Sequence, residues 1–240
     1  MIALGSGVKL DLHNHTHFSS DGMQSPARLL ATARDRGIGC IAVTDHNTVR
    51  GGLECAALAA ANPDLPKVIP GIELATQAGE IIGLFVSAEI PRLLPVADAV
   101  ARIRLQGGLV YLPHPFDRLR RGAVAAADRS TVAALADIIE VVNGRAVSSR
   151  AGAKSARLAA QLGKPAGAGS DAHRPMEIGF AYVVVEALPT RDTLVELVAA
   201  GHVEHHLRPW DYLLNCGLMG LAPITRLLRR FATPGPPQSM

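Results

Sequence analysis

Two histidines separated by one residue, His13 and His15, follow the first apolar stretch of the chain. Asp11 precedes them. Alternate side chains of a β-strand share a face, so His13 and His15 would point the same way. A further carboxylate, Asp21, follows a few residues later. Imidazole nitrogens and carboxylate oxygens are ligands that zinc and related divalent ions prefer. The start of the chain therefore predicts part of a metal site at the end of a strand.

Residues of the same types recur at the ends of five further apolar stretches. They are Asp45 and His46 after 41–44, Glu73 after 68–72, His114 after 109–113, Asn143 after 138–142, and Asp171 and His173 after 166–170. Helix-like segments rich in Ala and Leu separate most of these stretches, which predicts repeated βα units and a parallel sheet. In closed barrels of this kind the chemistry lies at the C-terminal ends of the strands. We therefore expect these side chains to converge on one rim.

The length of 240 residues suits one α/β barrel with a short extension. We predict a barrel domain over residues 1–207, and a helical extension with a disordered tail over 208–240. Apolar residues between 213 and 228 partly follow a helical stripe, which favours packing on the barrel or an oligomer contact. A membrane-surface or partner helix is the alternative for this segment.

The charge and the cysteines restrict the partners and the compartment. A formal net charge of +3 gives no reason to expect a nucleic-acid surface, but it allows a small phosphorylated substrate. Cys40, Cys55 and Cys216 form no Cys-x-x-Cys pair and fit buried residues in a reducing compartment. We find no secretory signal and no apolar run of the roughly 18 residues that a membrane span needs. We therefore expect a cytoplasmic protein without a transmembrane segment.

The ordered motifs resemble those of the PHP (polymerase and histidinol phosphatase) family. They are Asp11-x-His13-x-His15, Ser20-Asp21-Gly22, Thr44-Asp45-His46-Asn47, Gly71-Ile72-Glu73, His114-Pro115 and Gly169-Ser170-Asp171-Ala172-His173. The resemblance implies a distorted (β/α)7 TIM-like barrel with a two- or three-metal site at the C-terminal ends of the strands. Activities known in the family include hydrolysis of histidinol phosphate, nucleotides and oligonucleotides. The chain looks like the short, stand-alone members described as predicted metal-dependent phosphoesterases.

The same resemblance implies ligands for two or three zinc, manganese or iron ions. They are His13, His15, Glu73 and Asp171 for the first ion, Glu73 and His114 for the second, and Asp21, His46 and His173 for the third. Asp21 stands where some members have histidine, and aspartate is still a competent ligand. Asn143 stands where some members have histidine or cysteine. A neutral amide is a poor zinc ligand, so the second position would be weaker or hold a harder ion such as manganese.

Clustered divalent ions would neutralise an anionic phosphoester and lower the pKa of a bridging water towards about 7. Hydroxide would then attack phosphorus, and this mechanism needs no nucleophilic side chain. The sequence accordingly contains no Gly-x-Ser-x-Gly elbow and no catalytic cysteine motif. We predict a phosphoesterase for a small phosphomonoester or a nucleotide-type phosphoester.

Other polar residues near the motifs are candidates for supporting roles. Asp11 and Asp45 would orient imidazoles, and His17 would either touch substrate or be solvated. Arginines near the motifs would clamp phosphate, although a run of arginines is more often a solvated face. The catalytic candidates are Asp45, Arg118 and Arg145, and the candidates for substrate contact or ligand support are Asp11, His17, Asn143, Arg121 and Arg174.

Three alternatives stay open. The first is a phosphatase that acts specifically on histidinol phosphate. A metal-dependent amide or lactone hydrolase also begins with His-x-His, but the usual binuclear forms use a modified lysine at a strand end, whereas Lys9 and Lys67 lie at predicted strand starts. The third is a non-catalytic module that binds metal or phosphate.

Overall fold

The computed structural model of the chain describes residues 7–117, 122–146 and 149–206. The predicted C-terminal extension, its oligomer contact and Cys216 lie outside these ranges, as do Arg118 and Arg121. None of the helices in the described ranges combines the length and the apolar character needed to cross a membrane.

Strands and helices alternate along most of the described chain. The strands are β1 (Val8–Asp11), β2 (Ile38–Val43), β3 (Lys67–Thr76), β4 (Gly79–Leu84), β5 (Leu109–Leu112), β6 (Ile138–Asn143), β7 (Ala166–Gly169), β8 (Ala181–Val185) and β9 (His202–His205). The helices are α1 (Pro26–Asp35), α2 (Arg50–Ala61), α3 (Val96–Leu105), α4 (Arg129–Leu135), α5 (Ser149–Gln161) and α6 (Leu194–Ala200), with a 3₁₀ turn at Pro175–Glu177.

One sheet contains all nine of these strands, in the order β7-β6-β5-β4-β3-β2-β1-β8-β9. The chain just beyond β1 also bonds to β7, because the Leu12 amide donates to the Ala168 carbonyl at 3.2 Å. Asn14 forms a parallel bridge with Ala172. The strands β1 to β7 therefore form a nearly closed barrel, which confirms the predicted α/β barrel class.

The expectation of a wholly parallel sheet is wrong. β4 is antiparallel to both of its neighbours, β3 and β5, and β8 is antiparallel to both β1 and β9. The physical reason lies in the connection between β3 and β4, where Gln77 and Ala78 leave no room for a crossover helix. β4 thus begins at the rim where the other barrel strands end.

Alternating side chains build two layers of core. Along β2, Cys40 and Ala42 pack inside the barrel, whereas Ile41 and Val43 pack outward with residues such as Leu29 of α1. This is the alternation expected of a strand that is covered on both faces. The interior below the rim is consequently mainly apolar, and most of the polar side chains lie at the strand ends.

Local sequence signals set the boundaries of α1. The Ser25 hydroxyl accepts from the Arg28 amide at 3.3 Å, Pro26 occupies the first helical position, and Gly37 adopts a left-handed φ of 71° after the last turn. The first strand ends at Asp11, and the two histidines follow it in the segment that bonds to β7.

Candidate metal centre

The four side chains expected at the first metal position meet at the rim. The Nε2 atoms of His13 and His15 face each other at 3.0 Å, and both rings are fully buried. Glu73 Oε2 lies 3.4 Å from His13 Nε2 and 3.3 Å from His15 Nε2. Asp171 Oδ1 lies 3.8 and 3.4 Å from the same nitrogens. Two imidazole nitrogens at hydrogen-bond distance, flanked by carboxylates, form a donor set that suits a divalent cation.

His114 joins this cluster through the other oxygen of Glu73. His114 Nε2 lies 3.2 Å from Glu73 Oε1, and the His114 ring stacks on His13 with the ring centroids 5.7 Å apart. One oxygen of Glu73 therefore faces the ligands expected at the first metal position, and the other faces His114 of the second. The backbone at His114 and at Asp171 is left-handed, with φ of 27° and 53°. Such conformations are unfavourable for these residue types and concentrate at functional sites.

The third predicted group lies beside the first. Asp21 Oδ2 is 3.1 Å from His173 Nε2, and Asp21 Oδ1 is 3.6 Å from His46 Nε2. His46 also reaches Glu73, with its Nδ1 atom 3.0 Å from Oε2. Asp21 is 55% exposed and His46 25% exposed, whereas Glu73 is 1% exposed. The cluster therefore opens to solvent on the side of Asp21 and His46.

The charges of the cluster shift its pKa values in a pattern typical of a cation site. Burial opposes the charged imidazole, yet the carboxylates of Asp171 and Glu73 raise the pKa of His13 well above its usual value. Burial also opposes the charge on His46, but its hydrogen bond with Glu73 raises the pKa of His46 to about 9. Burial lowers the pKa of His15. The carboxylates thus draw protons onto positions that a bound cation would take over.

Ligand atoms of the rim residues form overlapping groups of three. Those with atoms within 4.8 Å of one another are His13, His15 and Asp171; His13, Glu73 and His114; His15, His46 and His173; and His46, Glu73 and Glu80. The side chains present therefore fit more than one divalent ion, and each of the first three groups contains at least two of the side chains expected at one of the three positions.

Asp11 and Asp45, which were expected to orient imidazoles, make different contacts. Asp45 accepts from the Thr16 amide and from the Ser19 hydroxyl, both at 2.7 Å, and Ser19 Oγ lies 3.1 Å from His15 Nδ1. Asp45 therefore reaches the imidazole through Ser19. Asp11 accepts from the amide and hydroxyl of Ser170 at 2.9 and 2.5 Å. Because Asp11 ends β1 while Ser170 follows β7, this carboxylate ties two strand ends together.

The remaining predicted residues differ in their distance from the cluster. Arg145 enters it, with its guanidinium donating to His173 Nδ1 at 2.7 Å and lying 3.9 Å from Asp171. Arg174 instead pairs with Glu177 at 2.5 Å. His17 is exposed, and its ring packs on Phe18.

The Asn143 amide nitrogen donates to Asp171 at 3.1 Å, and its oxygen accepts from the Arg145 amide at 2.9 Å. The amide therefore braces a carboxylate of the cluster.

Two carboxylates of the site were missed by sequence reasoning. Glu80 pairs with Ala75 across β3 and β4, and it reaches the rim because β4 runs in the reverse direction. Burial and the neighbouring charge of Glu73 raise its pKa. Glu140 lies in the middle of the apolar strand β6 and is 1% exposed. A charged residue inside an apolar stretch is the signal that could have identified Glu140, since such residues are buried only when paired.

Comparison with known proteins gives two family matches. A family model described as PHP domain matches residues 11–162, and a second, described as PHP-associated, matches residues 150–203. An uncharacterized protein of Methanocaldococcus jannaschii is 34% identical over 179 residues, which are 73% of this chain and 70% of that protein. Another from the same organism is 39% identical over 119 residues, which are 45% of this chain and 68% of that protein.

Two further matches extend the comparison. The 5′-3′ exoribonuclease Rnm of Salmonella typhimurium is 31% identical over 114 residues, which are 43% of this chain and 36% of that enzyme. Among solved structures, a two-domain protein from Bacteroides vulgatus, described as containing a predicted PHP-like metal-dependent phosphoesterase, has a TM-score of 0.65 and 19% identity. The match covers 87% of this chain and 68% of that one, and it shows that the two share a fold.

Proposed function

The chain belongs to the PHP domain family, a family of metal-dependent phosphoester hydrolases, and we propose that it cleaves a small phosphomonoester or a nucleotide-type phosphoester. One observation carries the proposal. Side chains from four separate rim segments converge so closely that the single carboxylate of Glu73 lies within 3.4 Å of nitrogens of His13, His15, His46 and His114.

The proposed ligands follow from this convergence. His13, His15, Glu73 and Asp171 would hold one ion, Glu73 and His114 a second, and Asp21, His46 and His173 a third. Bound divalent ions supply positive charge for an anionic phosphoester and lower the pKa of water towards about 7. Zinc, manganese and iron all accept imidazole and carboxylate ligands, so the donor set admits each of them.

The chain's own residues contribute orientation and charge. Asp21 and His46 border the open side of the cluster, so we place the substrate phosphate there. Arg145 would stabilise phosphate oxygens, because its guanidinium already lies among the ligand side chains. Asp45 would hold His15 in place through Ser19. Arg118 and Arg121 remain proposed phosphate contacts from the sequence alone.

The first experiment is a substrate panel with matched variants. The purified protein, supplied with manganese or zinc, should hydrolyse at least one of p-nitrophenyl phosphate, bis-p-nitrophenyl phosphate, histidinol phosphate, a nucleoside monophosphate or a short oligonucleotide. Asp171→Asn and His114→Ala should lower kcat/KM by about 100-fold or more, because each removes a proposed ligand. His202→Ala removes an exposed histidine of β9 and should change little.

Each alternative has its own outcome when an amide and a lactone substrate are added to this panel. Activity confined to histidinol phosphate would select the narrower phosphatase. Cleavage of amides or lactones but no phosphoester would overturn the proposal in favour of the hydrolase alternative. Stoichiometric metal binding without turnover of any phosphoester would leave only a binding module.

A further inference from the structure

Glu140 is a buried carboxylate below the cluster of proposed ligands, and each of its oxygens lies within hydrogen-bond distance of two partners. Oε1 lies 3.2 Å from His13 Nδ1 and 3.1 Å from the Tyr111 hydroxyl. Oε2 lies 2.7 Å from the His114 amide nitrogen and 3.0 Å from Asn143 Nδ2. Glu140 therefore contacts two proposed ligands, one through its ring and the other through its backbone.

The chemistry of these contacts determines where the hydrogens lie. An ionised carboxylate only accepts hydrogen bonds, and its two oxygens offer about four acceptor sites. The His114 amide and the Asn143 amide nitrogen can only donate. Burial and the charge of Glu140 raise the pKa of Tyr111, so the phenol keeps its proton and donates as well. The fourth contact is then a donor too, which places a hydrogen on Nδ1 of His13.

A hydrogen on Nδ1 leaves the opposite nitrogen available to a metal. That nitrogen, His13 Nε2, is the atom 3.0 Å from His15 Nε2 and 3.4 Å from Glu73 Oε2. We propose that Glu140 is a positioning residue that fixes the tautomer of His13 and thereby sets the affinity of the cluster for its divalent ion. The inference rests on the proposed function only in taking His13 as a ligand.

Replacing Glu140 by glutamine would reverse this arrangement while keeping the shape of the side chain. Glutamine has one accepting oxygen and one donating nitrogen. The backbone amide of His114 can only donate, so the glutamine oxygen must face it. The glutamine nitrogen then faces His13 Nδ1, which has to accept. The His13 proton would move to Nε2, where it competes with the metal.

The test compares Glu140→Gln with Tyr111→Phe in the full chain. Affinity is measured with zinc alone, in competition with a chromogenic chelator, and thermal unfolding reports whether each variant folds. Glu140→Gln should bind zinc about 10- to 100-fold more weakly. Tyr111→Phe removes another contact of the same carboxylate but leaves its charge, so zinc affinity should change less than about threefold. Equal zinc affinity of Glu140→Gln and the unchanged protein would overturn the proposal.

A second measurement needs no variant at this position. Nitrogen-15 NMR of histidine-labelled, zinc-loaded protein distinguishes the two ring nitrogens, with the His13 signals assigned by their loss in His13→Asn. The proposal expects the proton on Nδ1 and the metal on Nε2, and the opposite assignment would overturn it. Lack of phosphoester turnover would refute the proposed function but leave this result intact. Conversely, active protein with zinc on Nδ1 would refute only the inference.

Discussion

Gly169 shows how closely the backbone of β7 approaches His13. A Cβ atom at this position would lie 2.3 Å from the Cβ of His13 and 3.0 Å from Oε1 of Glu140. The end of β7 can therefore pass beside His13 only because residue 169 has no side chain. This close approach lets the loop after β7 place Asp171 in the same cluster as His13.

Gly169→Ala should therefore displace His13 and weaken metal binding by about tenfold or more, with a loss of roughly 1–3 kcal/mol in unfolding free energy. Zinc titration and denaturant unfolding measure the two effects. Gly163→Ala is a matched control, because its left-handed φ of 61° costs stability while nothing lies within 4 Å of the added Cβ. Equal zinc affinities for the two variants would contradict the packing argument.

The pH dependence of metal binding is also set at individual residues. With no metal bound, the pKa of His46 is raised to about 9. Below that pH His46 carries a proton that an ion must displace, so metal affinity should rise with pH up to about 9, by up to about tenfold per pH unit. Calorimetry with manganese in buffers of different ionisation enthalpy should detect the released protons. A pH-independent affinity without proton release would contradict the assignment of His46 as a ligand.

The ligand types were largely predictable from the sequence because all of them except Asp21 follow an apolar stretch, and parallel strands bring their ends to one rim. All eight predicted metal ligands do lie in the cluster described above. Direct contacts between the supporting carboxylates and the imidazoles were not predictable. Whether Asp45 reaches His15 directly or through Ser19 depends on distances of a few ångströms, which residue types and spacing do not specify.

At the level of secondary structure, the reversed strand β4 is the feature with the largest consequence. The direction of this strand depends on the short turn after β3. A reversed strand presents its first residues, rather than its last, at the active rim. Glu80 is therefore close to His46 and Glu73, although it precedes its apolar stretch rather than following it.

If this placement is correct, Glu80→Gln should weaken binding of at least one ion by roughly tenfold, since a carboxylate within 5 Å of a cation contributes appreciable attraction. Stoichiometric titration with manganese would measure the change. Glu54→Gln removes the same charge from an exposed position on α2 and is the control. Identical manganese affinities in both variants would show that Glu80 does not contribute to the site.

For the whole molecule, the cluster concentrates charged groups on an otherwise apolar barrel. Carboxylates and imidazoles from segments between residues 11 and 173 lie together, and β1 and β7 meet only through the chain beyond β1. Ions bound there would link both sides of this closure. Folding and metal binding should consequently be coupled.

Removal of metal should therefore lower the stability of the whole barrel. An ion at about 1,000 times its Kd contributes roughly 4 kcal/mol. A chelator should accordingly lower Tm by roughly 10 °C, and re-addition of zinc or manganese should restore it. In Asp171→Asn the chelator should have a much smaller effect. Scanning calorimetry would measure these changes in Tm. If chelator did not change the Tm of the unchanged protein, the ions would play no part in closing the barrel.

The central claim is that these separate rim residues form one multinuclear metal centre. Elemental analysis of the purified full chain, after equilibration with zinc or manganese and removal of unbound ions, tests it most directly. We expect two to three ions per chain in the unchanged protein and in His202→Ala. In His13→Ala the metal content should be lower by at least one ion per chain. Less than one ion per chain in the unchanged protein, or equal metal content in His13→Ala and His202→Ala, would contradict it.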